Sequence, residues 1–127
     1  MANERTRILL IEDDDMVRDL FRSILSDEGY EVVAAVDGAE GLRRIEDGGF
    51  DLVLTDILMP EKEGVSTILE MKRLHPEIRI IAISGGGRTR NLTPLKIAKK
   101  AGADLALSKP IEPNDLLKAV RKVAAAG

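Results

Sequence analysis

Ile8-Leu9-Leu10-Ile11-Glu12-Asp13-Asp14-Asp15 sets four large apolar residues directly against four carboxylates. An apolar run this short and unbroken suits a strand buried on both faces, as in a parallel sheet. Comparable runs recur at Val32–Val36, Leu52–Leu54, Ile80–Ile83 and Leu105–Leu107. Between them lie helical patterns. Met16, Val17, Leu20, Phe21, Ile24 and Leu25 form one apolar stripe on a helix that ends before Gly29. Asp37 and Glu40 stand three apart, a capping-box start for a helix with Ala39, Leu42 and Ile45 that closes at Gly48-Gly49. Val65, Ile68, Leu69 and Leu74 supply a third helix, stopped at His75-Pro76. Thr93-Pro94 opens a short fourth helix to Gly102, and the fifth begins near Pro113 with Leu116, Leu117, Val120 and Val123. Strands alternating with helices at this density predict an α/β, doubly wound (βα)5 domain. Its five-stranded parallel sheet is expected in the flavodoxin-like order 2-1-3-4-5.

That order gives the strand ends a meaning. Glu12 and Asp13 follow the first run, Asp56 the third, Ser84 the fourth and Lys109 the fifth. In a parallel sheet all of these reach the C-terminal edge, and strands one and three flank the switch point where such folds place ligands. Carboxylates held close together repel and ionise together only around a cation. Oxygen donors without His or Cys point to a hard ion, most simply Mg²⁺. Lys109 and the Ser84 hydroxyl then face an anion beside the metal, which makes a phosphoryl-transfer site with a carboxylate able to act as nucleophile. Taken singly, Asp14 or Asp15 reads as a helix N-cap, Ser84 as a turn residue and Lys109 as a surface lysine. His75, before Pro76, reads as a solvent-facing helix end.

Composition narrows the alternatives. A chain of 127 residues supports one domain, and without cysteine it has neither a disulfide nor a thiolate metal site. The net charge of −3 argues against sequence-independent nucleic-acid binding, and three aromatics, Phe21, Tyr30 and Phe50, are too few for a base-stacking platform. No apolar run approaches a membrane span, and the charged start Asn3-Glu4-Arg5-Thr6-Arg7 precedes no signal-peptide core. A soluble, cytoplasmic protein without direct nucleic-acid or membrane contact is expected. From Arg88 onward nine basic residues face three acidic ones, a mild sign of an acidic partner for the C-terminal third.

The motifs Ile11-Glu12-Asp13-Asp14, Asp56-Ile57-Leu58-Met59-Pro60 with Gly64, Ile83-Ser84-Gly85 and Ser108-Lys109-Pro110 stand in a specific order and spacing. Together they resemble a bacterial two-component response-regulator receiver domain, of the chemotaxis-regulator kind, from about Arg7 to Ala124. Residues 1–127 are accordingly expected to make one receiver domain, free-standing or cut from a longer regulator. The resemblance implies that Asp56 accepts a phosphoryl group from a phosphohistidine of a histidine kinase or phosphotransfer protein. It implies Mg²⁺ on Glu12, Asp13, Asp56 and the Leu58 backbone carbonyl, Lys109 paired with the phosphoryl oxygens, Ser84 swinging to bond one of them, and a cis Lys109–Pro110 bond. Such a domain is a switch rather than an enzyme, catalysing only its own phosphorylation and dephosphorylation. Its readout would be the face of the fourth helix, fifth strand and fifth helix, acting on a downstream protein.

Two departures stand out. The family carries an aromatic switch residue three positions before the lysine, and here that residue is Ala106. The Gly85–Leu92 stretch is long and glycine-rich, so rearrangement of this loop is expected to take over the reporting role. Two rival functions follow. A haloacid-dehalogenase-like phosphatase would use Asp13 as nucleophile, since Asp13-Asp14-Asp15-Met16-Val17 fits its motif, although its late acidic pair is missing. A phosphate-independent binding module on the receiver scaffold would explain Ala106. A flavin site is disfavoured, because the acidic loop repels phosphate and no aromatic stands ready to cover the ring.

Overall fold

The computed structural model describes residues 6–57, 63–84, 96 and 99–125. Strands β1 (Arg7–Ile11), β2 (Glu31–Ala35), β3 (Leu52–Asp56), β4 (Arg79–Ser84) and β5 (Leu105–Ser108) form one parallel sheet in the order β2-β1-β3-β4-β5. Helices α1 (Asp15–Asp27), α2 (Gly38–Ile45) and α3 (Glu63–Leu74) follow the first three strands, and a C-terminal helix (Pro113–Ala125) follows β5. Residues 99–101 are helical and stop at Gly102, whose φ of 127° suits glycine. The expected start of that helix at Thr93-Pro94 lies outside the described residues, as do Leu58, Met59, Pro60 and the Gly85–Leu92 stretch.

Register explains the apolar runs. Ile8 pairs with Val32 and Leu52, and Ile11 with Ala35 and Thr55, so alternate residues of β1 serve opposite faces. Leu9, Ile11, Val53, Ile80 and Ala82 meet Ile45 of α2 and Ile68 and Met71 of α3. On the other face Ile8, Leu10, Leu54, Ile81 and Ile83 meet Phe21 and Leu25 of α1 and Leu116 and Val120 of the C-terminal helix. Each such fully buried Val, Leu, Ile or Met side chain contributes about 1.5–3 kcal/mol.

Several expectations need correction. Burial on both faces holds for β1, β3 and β4 but not for the edge strands β2 and β5, where most residues are half-buried or exposed. On α1 the core-facing side is narrower than the predicted stripe. Phe21 and Leu25 are buried, whereas Met16 and Leu20 are 81% and 55% exposed. On α3 the buried residues are Thr67, Ile68 and Met71, while Leu69 and Leu74 face outward. Helix α2 stops at Ile45, Glu46 and Asp47 make the turn beyond it, and Gly48 and Gly49 follow at φ 79° and 82°. His75 is half-buried rather than freely solvated.

The caps follow the sequence. Asp14 accepts from the Met16 and Val17 amides at 2.9 and 3.1 Å, which makes it the N-cap of α1. Asp37 accepts from the Glu40 amide at 2.8 Å. Glu40 reaches back one residue beyond the usual box, to the Val36 amide at 2.8 Å. Two glycines let α2 approach its neighbours. A Cβ on Gly38 would stand 2.1 Å from Thr67 Oγ1, and one on Gly41 would stand 2.4 Å from Ile11 Cδ1.

Candidate functional site

Backbone ladders running one residue past the strands align the site. The amides of Glu12, Ile57 and Lys109 donate to Ala35, Ile83 and Ser84 carbonyls at 3.1, 2.8 and 2.8 Å. Glu12, Asp56, Ser84 and Lys109 are thereby held at one level of the C-terminal edge. Glu12, Asp56 and Ser84 are buried there, while Asp13, the next residue along the pleat from Glu12, is exposed. One carboxylate oxygen from each of Glu12, Asp13 and Asp56 lies within 4.8 Å of the others. Lys109 Nζ donates to Asp56 Oδ2 at 2.8 Å and to Glu12 Oε1 at 3.4 Å.

The electrostatics reflect this crowding. Burial, then repulsion by Asp56, pushes the Glu12 carboxyl up to about 7, against the pull of the Asp14 amide and Lys109. Burial works against the charge of Lys109, but the hydrogen bond and charge of Asp56, with Glu12 behind them, outweigh it and hold the ammonium above its ordinary value. Two buried carboxylates thus share Lys109, with the exposed Asp13 beside them. A divalent cation among these oxygens would relieve the repulsion, and an all-oxygen donor set suits Mg²⁺. The residues fit the ion.

The residues expected at the site therefore sit at one sheet edge, with Leu58 outside the described residues. Lys109–Pro110 is cis. Asp14 and Asp15 do not join the cluster: Asp14 caps α1, and Asp15 is an exposed partner of Arg18. One residue escaped the sequence reading. Arg18 Nη1 donates to the Glu12 carbonyl at 2.9 Å, while Nη2 pairs with Asp15. The three-residue spacing of Asp15 and Arg18 on a helix was its only signal. Ala106 pairs with Ala82 in the register of β5 and β4. Beside it, Leu105, Leu107, Ile111 and Ala119, with Lys118, Lys122 and Asp115, line a groove of about 300 Å³. A larger cavity of about 680 Å³, at Phe50, Asp51 and His75, lies at the opposite edge of the sheet, away from the carboxylates.

A family model described as the response regulator receiver domain matches residues 8–121. The chain belongs to that family. The receiver domain is 34% identical over 117 residues to the chemotaxis protein CheY of Bacillus subtilis, covering 91% of this chain and 95% of that protein. It is 33% identical over 115 residues to the transcriptional regulatory protein DltR of Streptococcus agalactiae, covering 91% of this chain and 50% of that one. The chain thus spans about half the length of the transcriptional regulators it matches. Among solved structures, a CheY-like receiver domain protein from Methanospirillum hungatei superposes with a TM-score of 0.88 at 34% identity, covering 97% of this chain and 96% of that one. The receiver domain of NtrX from Brucella abortus gives a TM-score of 0.86 at 33% identity, covering 94% and 99%. The fold is the flavodoxin-like, CheY-like one, and the receiver domain is a part of two-component signalling. This membership displaces the phosphatase reading, and the surface ion pair of Asp15 agrees. No helix among the described residues is long and apolar enough to cross a membrane.

Proposed function

We propose that this receiver domain is a phosphoacceptor switch in which Asp56 takes a phosphoryl group from a phosphohistidine of a histidine kinase or phosphotransfer protein. The observation that carries the reading is Lys109 Nζ, bonded to Asp56 and Glu12 within a set of three carboxylates whose oxygens come within 4.8 Å. Glu12, Asp13, Asp56 and the Leu58 carbonyl would hold Mg²⁺. Bound there, the ion supplies charge neutralisation at the transferring phosphoryl oxygens. Asp56 contributes the attacking oxygen: a P–O bond forms as the P–N bond to the donor imidazole breaks, and that imidazole keeps the electron pair and takes up a proton.

The product replaces a single negative charge by a group of about −2 with more acceptor oxygens. Lys109 then has a stronger partner than the carboxylate it bonds now, and Ser84, buried at the same edge, supplies a hydroxyl donor. Tighter bonding in one conformer shifts the population toward it. β5 connects Lys109 to the groove against the C-terminal helix, where two lysines, Lys118 and Lys122, against one acid, Asp115, favour an acidic protein effector. Ala106 cannot report the change by turning a ring.

The test is intact mass after incubation with acetyl phosphate, with Mg²⁺ or EDTA. One phosphoryl group that needs Mg²⁺ and vanishes in Asp56→Asn is expected. No adduct, with no turnover of the donor, overturns the proposal. Ala106 favours a second reading, a binding module indifferent to phosphate. An effector affinity identical for the unmodified and phosphorylated protein would establish it.

A further inference from the structure

We infer that Arg18 is a positioning residue for the cation site, holding the peptide that leads from Glu12 into Asp13. The inference rests on the reading of Glu12, Asp13 and Asp56 as cation ligands. Glu12 and Asp56 are fixed by burial and by Lys109, but Asp13 is exposed and has no such enclosure. What can aim it is the main chain. The Glu12 carbonyl belongs to the Glu12–Asp13 peptide plane, and Arg18 Nη1 holds that oxygen at 2.9 Å. The other end of the guanidinium pairs with Asp15, so one planar fork spans both ends of the acidic turn. The Asp14 amide closes the turn on Glu12 Oε2 at 3.1 Å, and Arg18's own amide bonds the Asp14 carbonyl at 2.9 Å. The Arg18 side chain is only 15% exposed, against 84% for Asp15.

Charge and geometry make opposite demands here, which separates the roles. A guanidinium beside a cation site lowers cation affinity by simple repulsion. Its removal should therefore tighten Mg²⁺ binding if charge is all it contributes. If it positions Asp13, removal should weaken binding, because the flexible turn must be ordered when the ion enters. Groups that orient metal ligands typically govern about ten-fold or more in affinity.

Two variants decide the matter. Arg18→Met keeps the apolar stem and drops the fork; Arg18→Lys keeps stem and charge but offers one nitrogen in place of the planar fork whose two nitrogens hold the Glu12 carbonyl and Asp15 separately. The readout is Mg²⁺ affinity from amide chemical shifts in a metal titration, with urea unfolding in EDTA to certify the folded fraction. Both variants are expected to bind Mg²⁺ roughly ten-fold more weakly than the parent chain. Unchanged affinity in Arg18→Lys, or unchanged or tighter binding in Arg18→Met, overturns the inference. Arg18→Lys preserves charge and packing, so the test survives if Arg18→Met does not fold. Failure of the parent chain to bind Mg²⁺ overturns the cation-site reading itself, a result distinct from a normal parent with unaffected variants.

Discussion

The substitution Glu12→Gln should change how stability depends on pH in metal-free protein. The Glu12 carboxyl lies at about 7 in the fold, against an ordinary 4.5, because it is buried beside Asp56. The folded state therefore holds a proton that the unfolded chain releases. Below the unfolded value both states are protonated and the contribution is fully present; as pH rises through about 7 it is lost. The rise from 4.5 to about 7 corresponds to at most about 3 kcal/mol of stability lost. A glutamine amide at this position carries no such proton. Urea unfolding in EDTA, between about pH 5 and pH 8, gives the difference between the two proteins at each pH. Titration of groups that do not touch Glu12 cancels in that difference, and Lys109, held above its ordinary value, stays charged across the whole range. The expected result is a difference that drifts toward the variant by about 1–3 kcal/mol over the range, the size just derived, and that excess Mg²⁺ diminishes. Parallel curves would refute the reasoning, since they would mean that Glu12 is charged in both states throughout.

Four further substitutions probe the scaffold by urea unfolding. Gly38→Ala places a methyl 2.1 Å from Thr67 Oγ1 and should cost about 1–3 kcal/mol, despite the better helix propensity of alanine. Ile68→Ala, at a fully buried position, should cost about 2–5 kcal/mol, while Leu69→Ala, at a 54% exposed one, should stay within about 0.5 kcal/mol. Asp37→Ala removes the cap bond to the Glu40 amide and should cost about 1 kcal/mol.

The sheet was legible because its signal is local. Ile8–Ile11 and Ile80–Ile83 are apolar throughout, which only strands enclosed by both helix layers require. Glu12, Asp56, Ser84 and Lys109 could be gathered at one edge because parallel strands put their ends on one side. Finer matters were hidden. Glu12 and Asp13 are adjacent acids in the sequence, yet the pleat buries one and exposes the other. The periodicity of α1 marks an apolar side but not its width; α1 packs over β1, β2 and the C-terminal helix, and Met16 and Leu20 fall outside that contact. Arg18 gave no signal beyond its spacing from Asp15, because its acceptor, the Glu12 carbonyl, is backbone and leaves no mark in a string of side chains.

Lys109 lies 97 residues from Glu12 and 53 from Asp56 along the chain. A ribosome therefore delivers the acidic strand ends long before their counter-charge. An emerging chain that has paired β1 with β3 but lacks β5 holds two carboxylates at a hydrophobic seam without a lysine to offset them. Such a state is penalised, so seating of the last strand joins completion of the fold to completion of the chemistry. A half-made chain would then lack the lysine that the complete edge sets against its two buried carboxylates.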